Sequence, residues 1–553
     1  MAAKPTKIIL ICAAAAAAIV IGGEIFKTVR FRKYCESTDG MKTQIDTVRS
    51  FATQAIRGDI LDCRGNILAT SDTVYNVHLD AIFSKDSLWQ EALPALSNGL
   101  TEIIKDKTSE EYYRYLSDGR AEGKRYLNIC NNVGQSTIDS LKSLPLFNLP
   151  IEKGGVIIEA RQRRIYPYGP LARRTIGFVR DNNELYNNHI GIEGSFNKVL
   201  SGKDGYGIIK DKYVRLPFGK VKHIHKAMKV VEPENGKNVS MALDIELQAV
   251  ADSLLRAGIE GYDDIKGACL VLVGTNNGAI RTMVNLTKDE KGEFWESYNV
   301  SIGYGYEPGR IIAPATALAA AKCDSTLSLD GLDLTSKEVL ASLAEKCNPS
   351  AYCDSLSAML KGEYAFDHLE IDGLANLKMI TPADHYWNDR TLYSISTGYS
   401  VMAPAYQWLR LYTAIARGGE GIAQRLVDPI SIDDDKRMLY THCTKEQADA
   451  LTESLKAASV DKMSDAAFEM AGISGSSFIA IPGAGYTDEL GRHALQSSYA
   501  GFFPADNPAF SIICMVYTMP MSEVYSISGI SSQIVKEFVN SSVVAERVKE
   551  MLD

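Results

Sequence analysis

The stretch Gly267-Ala268-Cys269-Leu270-Val271-Leu272-Val273 carries no charge and constrains this chain more than any other segment. Such a run reads as a strand buried on both faces, so the fold must supply cover above and below a sheet. Asn276-Asn277-Gly278 then turns it into Ala279 to Val284, a hairpin. A second hairpin is expected from Ser498 to Pro504 and Phe510 to Val516, joined at Asp506-Asn507-Pro508. Helical spacing marks Ile245 to about Ala257, Ser336 to Glu345, Tyr406 to Ala416 and a closing helix from Ser532 to Leu552. These pieces predict an α/β sheet flanked by helices. Lys237 to Leu243 alternates like a strand edge.

Before Gly236 the pattern changes to polar segments alternating with short apolar ones. Thr73 to Leu79 has strand character, Ser109 to Leu116 and Ser136 to Leu144 have helical spacing, and Asn182 to Asn188 reads as a polar loop. With 553 residues, 46% of them hydrophobic, the chain has enough apolar side chains for two or three domains. No internal repeat, heptad run or low-complexity linker is present. Lysine and arginine number 59 against 68 acidic residues, and the net charge of −9 offers no basic footprint for nucleic acid. The cysteines form no Cys-x-x-Cys pair and His223-x-His225 is the nearest approach to a histidine cluster, so neither a metal site nor a cofactor is expected. Cys347 and Cys353 are close enough in sequence to bridge, although reduced buried cysteine is the commoner state of such a pair. Asp433-Asp434-Asp435 reads as a solvated turn, and the 27 tyrosines either line a glycan groove or, more commonly, fill domain interfaces.

The segment Tyr306-Glu307-Pro308-Gly309-Arg310-Ile311-Ile312-Ala313-Pro314 resembles the nucleophile motif Glu-Pro-Gly-Ser-x-x-Lys-Pro of penicillin-binding transpeptidases. Further matches run along nearly the whole chain. Arg57 to Ala69 resembles the Arg-Gly-x-Ile-x-Asp-Arg-x-Gly-x-x-Leu-Ala signature of the family's non-catalytic pedestal. Arg164 to Gly169, Thr175 to Val179 and Gly191 to Gly194 resemble its later pedestal motifs. Gly236 to Gln248, the Tyr393 to Pro404 region and Tyr499 to Ala505 resemble parts of its transpeptidase half. The chain is thereby identified as similar to a class B penicillin-binding protein, closer to the division and sporulation branch.

The resemblance implies an α+β transpeptidase domain of the serine β-lactamase type, carried on an elongated α+β pedestal behind a single transmembrane helix. On it, residues 1–7 are a cytoplasmic tail, 8–26 the anchor, 27–235 the pedestal and 236–553 the transpeptidase-like domain. The uncharged run from Ile8 to Gly23, extended past Glu24 by Ile25 and Phe26, has the length of one span. A cleaved signal peptide or a soluble helix are the other readings. Lys27, Arg30, Arg32 and Lys33 outnumber Lys4 and Lys7, which runs against the usual cytoplasmic excess of positive charge. The resemblance nevertheless places the bulk of the chain outside the cytoplasmic membrane.

The chemistry of the family does not carry over residue by residue. Its nucleophile must be a hydroxyl deprotonated by a neighbouring amine. Here the serine falls on Arg310, which has neither hydroxyl nor transferable proton, and the lysine on Ala313. The second motif, Ser-x-Asn, is expected at Lys346-Cys347-Asn348, with Lys346 for the serine and Asn348 kept, after an unusually short segment from Lys322 to Glu345. The third, Lys-Thr/Ser-Gly-Thr/Ser, falls on Ile473-Ser474-Gly475-Ser476, so its lysine becomes Ile473. Asn348, Ser474, Gly475 and Ser476 remain as candidate ligands for a peptide carboxylate. Ser195-Phe196-Asn197-Lys198 and Ser459-Val460-Asp461-Lys462 also have Ser-x-x-Lys spacing, but neither follows Glu-Pro-Gly, and both read as decoys.

These substitutions predict a non-catalytic member that serves peptidoglycan assembly as a scaffold or regulator in the membrane. Its partner by resemblance is a polytopic glycan polymerase, with other cell-wall membrane proteins and peptidoglycan peptide as further candidates. Two other functions stay open: a transpeptidase with a different nucleophile, and a peptide or β-lactam sensor that binds without turnover.

Overall fold

In the computed structural model, residues 46–179, 190–215, 221–361, 369–371, 373–428, 439–479, 491–520 and 527–553 are described. The expected anchor at 8–26, the polar segment at 182–188 and the acidic run at 433–435 lie outside them. Among the described residues no helix is long and apolar enough to cross a membrane.

The chain separates into two compact units, one of Arg57–Leu200 with Lys237–Asp553 and the other of Ser201–Gly236 with the described part of Met1–Ile56. The smaller unit is an antiparallel sheet of β1 (Asp46–Thr53), β6 (Gly205–Arg215) and β7 (Val221–Val231), in the order β1-β6-β7.

In the larger unit, the pedestal portion is a sheet of β2 (Ile60–Leu61), β3 (Ile67–Leu79), β4 (Leu127–Val133), β5 (Val156–Ile165) and β8 (Val239–Ser240). Helices α1 (Asp86–Ile104), α2 (Ser109–Ala121) and α3 (Gln135–Leu141) pack against it through Leu96, Leu100, Tyr112, Leu116 and Ile138. Helix α2 starts at a capping box in which Thr108 and Glu111 each satisfy the other's backbone N–H. Three of the pedestal motifs meet at one carboxylate. Arg57 donates two hydrogen bonds to Glu193 Oε2, at 2.9 and 2.6 Å, and Arg164 donates one to Oε1 at 2.6 Å. The Glu193 side chain is 0% exposed, so its charge is tolerable only because both guanidinium groups neutralise it.

The strand β2 pairs in parallel with β8 and so joins the pedestal to the second half of the chain. Asp62 reinforces this joint: one oxygen accepts from the N–H groups of Arg64 and Asn66, the other from Asn66 Nδ2 and the N–H of Ile245. Ile245 opens helix α4 (Ile245–Ile259), whose cap Asp244 accepts from two N–H groups of the first turn and pairs with Arg547 at 2.8 Å. Only two residues of Lys237 to Leu243 are strand, because the segment crosses between sheets instead of running along one.

The core of this half is an antiparallel sheet of β9 (Ile265–Gly274), β10 (Ile280–Lys288), β11 (Phe294–Trp295), β17 (Ala471–Ile479), β18 (Ala494–Phe503) and β19 (Phe510–Thr518). Their order is β11-β10-β9-β19-β18-β17. Alternate residues of β9 enter opposite cores: Cys269, Val271 and Val273 face one, Ala268, Leu270 and Leu272 the other. The first core is filled by α5 (Ala313–Cys323) with its neighbours α6 (Lys337–Glu345) and α7 (Pro349–Lys361), and by α9 (Ala405–Ala416) beside the short α8 (Thr391–Ser396). The second contains side chains from α4, α11 (Ile530–Val539) and α12 (Ser542–Leu552), while α10 (Lys445–Met463) lies along β17. Two smaller sheets, β12 (Gly305–Tyr306) with β14 (Val401–Pro404) and β13 (Lys378–Met379), and β15 (Glu420–Ile422) with β16 (Leu439–Thr441), complete the unit.

Both expected hairpins, β9–β10 and β18–β19, are present. The closing helix is two helices instead, because Ser541 turns its hydroxyl to the N–H of Val544 and caps α12 where a single helix would have run on. The disulfide joins Cys347 to Cys323, and Cys353 is buried and free.

Two measurements test these joints. Replacing Glu193 by Gln leaves two buried guanidinium groups short of a counter-charge and is expected to cost about 3–5 kcal/mol in chemical denaturation. Glu296 is buried, accepting from the N–H of Arg174 and of Asn285, and burial pushes its carboxyl up to about 8. A folded-state value above the unfolded one stabilises the fold at low pH, and that contribution is lost as pH rises from about 4.5 through about 8. The loss should reach about 1.4 kcal/mol per pH unit in this window and disappear in Glu296→Gln, read from denaturation midpoints between pH 5 and 9.

Candidate functional site

The segment from Tyr306 to Ala313 leaves the small sheet at β12, passes through a 3₁₀ turn at Gly309–Ile312 and enters α5. It is held on three sides. Its Glu307 carbonyl accepts from Ser477 Oγ at 2.6 Å and Gln496 Nε2 at 3.0 Å, and its Glu307 carboxylate accepts from the N–H of Ser400 at 2.8 Å. The Ile311 carbonyl accepts from the Tyr412 hydroxyl of α9 at 2.9 Å.

Glycine sets how closely these segments approach. Gly398 has φ +90°, and a Cβ there would lie 2.0 Å from the Gly309 carbonyl oxygen. Gly309 itself has φ +56° and sits against the backbone of Ser476, while a Cβ on Gly475 would lie 2.7 Å from the Pro308 carbonyl oxygen. Three backbones thus meet with no room for side chains between them, which explains Glu-Pro-Gly, Thr-Gly and Ser-Gly as physical requirements of the cradle.

Arg310 is exposed at the mouth of this cradle, whereas Ala313 is fully buried and Ile473 is 1% exposed, both in the core beneath. On β17, Gly475 and Ser477 face the turn, and Ile473 shares their side by strand alternation. Ser474 and Ser476 therefore point to the opposite side, Ser474 with a buried hydroxyl that has no hydrogen-bond partner among the described residues and Ser476 exposed.

The second expected motif is not brought to this groove. Cys347 is bonded to Cys323 at the C-terminal end of α5, with Cα atoms 5.4 Å apart. Arg310 lies beyond the N-terminal end of the same helix, whose 11 residues span roughly 16 Å. Lys346 ends α6, and Asn348 is an exposed residue accepting from the N–H of Ser350 at the start of α7. The groove is instead flanked by the start of α6. Asp333, whose carboxyl is lowered chiefly by a hydrogen bond from the Thr335 hydroxyl, is close enough to Arg310 for its charge to contribute. The Lys337 ammonium lies 5.5 Å from the centre of the Tyr399 ring. Burial, first, and the Glu307 charge raise the Tyr399 phenol, and Arg310 opposes them. The usable sequence signal was the hydroxyl pair Thr335-Ser336 ahead of the amphipathic helix, which reads as an N-cap and is one: Ser336 Oγ accepts from Val339 N–H.

The two other Ser-x-x-Lys segments lie elsewhere. Ser459 is buried on α10 and donates to the Gly472 carbonyl at 2.8 Å, and Ser195 closes the short helix at Gly191–Ser195 in the pedestal.

Replacing Gly398 by Ala forces a Cβ into the Gly309 carbonyl and should cost about 3 kcal/mol or more in denaturation. Gly331→Ala, at φ +66° with open space around it, is the control and should cost about 1–2 kcal/mol.

The comparisons with known proteins agree with this architecture. The family profile described as the Penicillin-binding Protein dimerisation domain matches residues 52–241, and that of the Penicillin binding protein transpeptidase domain matches 367–540, a span that holds β17. The peptidoglycan D,D-transpeptidase FtsI of Buchnera aphidicola is 24% identical over 551 residues, covering 91% of this chain and 89% of the relative. Among solved structures, penicillin binding protein 2X of Streptococcus thermophilus superposes with a TM-score of 0.68 at 17% identity, over 91% of this chain and 80% of that one. The penicillin-binding protein PBP2 of Helicobacter pylori, solved in complex with MreC, gives 0.63 at 14% identity, over 90% and 98%. Two domain profiles in this order, a relative matched almost end to end and a shared architecture show that the chain belongs to the class B penicillin-binding proteins.

Proposed function

We propose that this protein takes part in peptidoglycan synthesis as a non-catalytic member of its family, a scaffold or regulator in place of a cross-linking enzyme. The carrying observation is the pair at the cradle: Arg310 stands where the nucleophile belongs, and the fully buried Ala313 where its base belongs. With Ala313 and Ile473 at the positions of the two motif lysines, neither position supplies an amine to take a proton or steady developing negative charge. Loss of the nucleophile or base alone costs about 10⁶ in turnover in a triad hydrolase. The geometry also favours Thr335-Ser336-Lys337 over Lys346-Cys347-Asn348 as the remnant of the second motif, since the start of α6 flanks the groove. Ser476 is exposed on the side of β17 away from the turn, and Asn348, just before α7, lies beyond the far end of α5 from Arg310.

Retention of the pedestal motifs around Glu193 supports a role carried by the body of the protein. The Helicobacter pylori neighbour is seen with a second protein, so this architecture accommodates partners. A polytopic glycan polymerase, bound through the anchor at 8–26 and the pedestal, is the partner we infer. The Cys323–Cys347 disulfide fits an oxidising compartment and hence a body outside the cytoplasmic membrane.

The test is covalent labelling with a fluorescent penicillin, read by gel and intact mass, on the natural protein and on Arg310→Ser/Ala313→Lys/Ile473→Lys. No adduct is expected on the natural protein; one there would overturn the reading and locate another nucleophile. Thermal stabilisation by penicillin or stem peptide without an adduct would instead indicate a sensor.

A further inference from the structure

In the pedestal, β5 pairs with β3 along its whole length, from Val156 opposite Leu79 to Ile165 opposite Thr70, without a register shift. Among the described residues no strand pairs with its other side. Half of its N–H and C=O groups therefore face outward along an edge of ten residues, roughly 33 Å long. With neither a bulge nor a proline to break it, such an edge is a template for one more strand. Both ends of the strand are fixed. Arg164 is bound to the buried Glu193, and the carbonyl of Gly155, just ahead of Val156, accepts from the Asp80 N–H at 2.8 Å. An added strand would meet a partner that is already ordered, which lowers the entropy lost on binding.

The side chains along this edge select the strand that fits. At its start Ile158 is 37% exposed, and Phe83, 52% exposed, lies against Gly155. Farther along, Arg161 and Arg163 are both exposed and share the face opposite to Ile158 by strand alternation. The carboxylate beside Arg161 is Glu159 at 3.9 Å, and it already accepts from the Tyr126 hydroxyl at 2.7 Å. Arg163 forms no ion pair among the described residues, although Asp72 stands opposite it on β3. Exposed arginines keep apolar strands off an edge, because pairing would strip water from the charges. A strand that brings carboxylates to the same positions meets no such cost. We propose that the β5 edge takes an extended segment of a partner protein as an added strand, with acidic residues two apart opposite Arg161 and Arg163 and apolar residues towards Ile158 and Phe83. This names a surface for the partner-binding role proposed above and rests on that role, while drawing on nothing at the cradle.

The probe is a labelled decapeptide alternating glutamate with valine, titrated into the full-length protein in detergent. Binding is read by fluorescence anisotropy and by amide hydrogen exchange over residues 156–165. The peptide should bind and slow exchange in β5. Its lysine–valine counterpart should bind at least tenfold more weakly, and Arg161→Glu/Arg163→Glu should reverse that order. N-methylation throughout the peptide backbone should abolish binding, since an added strand is held by its N–H groups. Both arginines are exposed, so the double variant should keep the parent's thermal midpoint, which is checked alongside. No binding by the glutamate peptide, binding without slower exchange in β5, an unchanged charge preference in the double variant, or a dimer of this chain paired through β5 in sedimentation would each overturn the proposal. A penicillin adduct on the natural protein would count against the non-catalytic reading alone, so the two failures are told apart.

Discussion

A carboxylate with no solvent contact fixes the motif segments of the pedestal to one another. Glu193 is bound by Arg57 from the start of the described motif region and by Arg164 from the end of β5, residues 136 and 29 positions away in sequence. Bringing such segments together costs chain entropy that a purely apolar contact could also repay, but only directional ion pairs fix their register. From that fixed point β2 runs on to its pairing with β8, Asp62 reaches the first turn of α4, and Asp244 at the head of α4 meets Arg547 of the last helix. A chain of buried or half-buried carboxylates thus links the start of the pedestal to the C-terminus of the fold.

The cradle at Gly309 depends on a different constraint, the absence of side chains. Gly309, Gly398 and Gly475 let three backbones touch, and hydrogen bonds to the Glu307 carbonyl and carboxylate lock the arrangement. None of these contacts involves the side chain at position 310 or 313. The frame therefore remains when the reactive groups change, because its stability comes from backbone packing and the core beneath it.

Strongly periodic elements were legible in the sequence: the buried strand from 267 to 273, both hairpins, and helices α2, α4 and α9 all formed as their patterns required. The cradle was legible too, because glycine at a backbone contact has no substitute. On the proposed reading, what sequence failed to place is the second motif. The segment Lys346-Cys347-Asn348 has the right residue and follows a helix, but the Cys323–Cys347 link ties it to the wrong end of α5, and a distance along a helix cannot be read until the partner helix is known. On the proposed reading, the hydroxyls of Thr335 and Ser336 escape notice because Ser336 also caps α6, one residue type suiting both purposes. The break at Ser541 was missed for the same reason: apolar spacing continues through it, and only the cap shows that the helix stops.

The three replacements at the cradle are physically coupled on the proposed reading. A lysine at 313 or 473 would place an ammonium in the core, an environment that only a neighbouring hydroxyl or anion network makes bearable. Once position 310 is arginine, that network has lost its centre and gained a like charge, so a retained lysine would be both desolvated and repelled. Alanine and isoleucine remove the problem by extending the apolar core up to the turn, where Ala313 and Ile473 are both buried. Arg310 escapes it by being exposed, where solvent screening weakens the roughly 0.3–1 kcal/mol penalty of a cation near the start of α5. Restoring one residue at a time would therefore recreate the conflict, and a return to chemistry requires all three positions to change together.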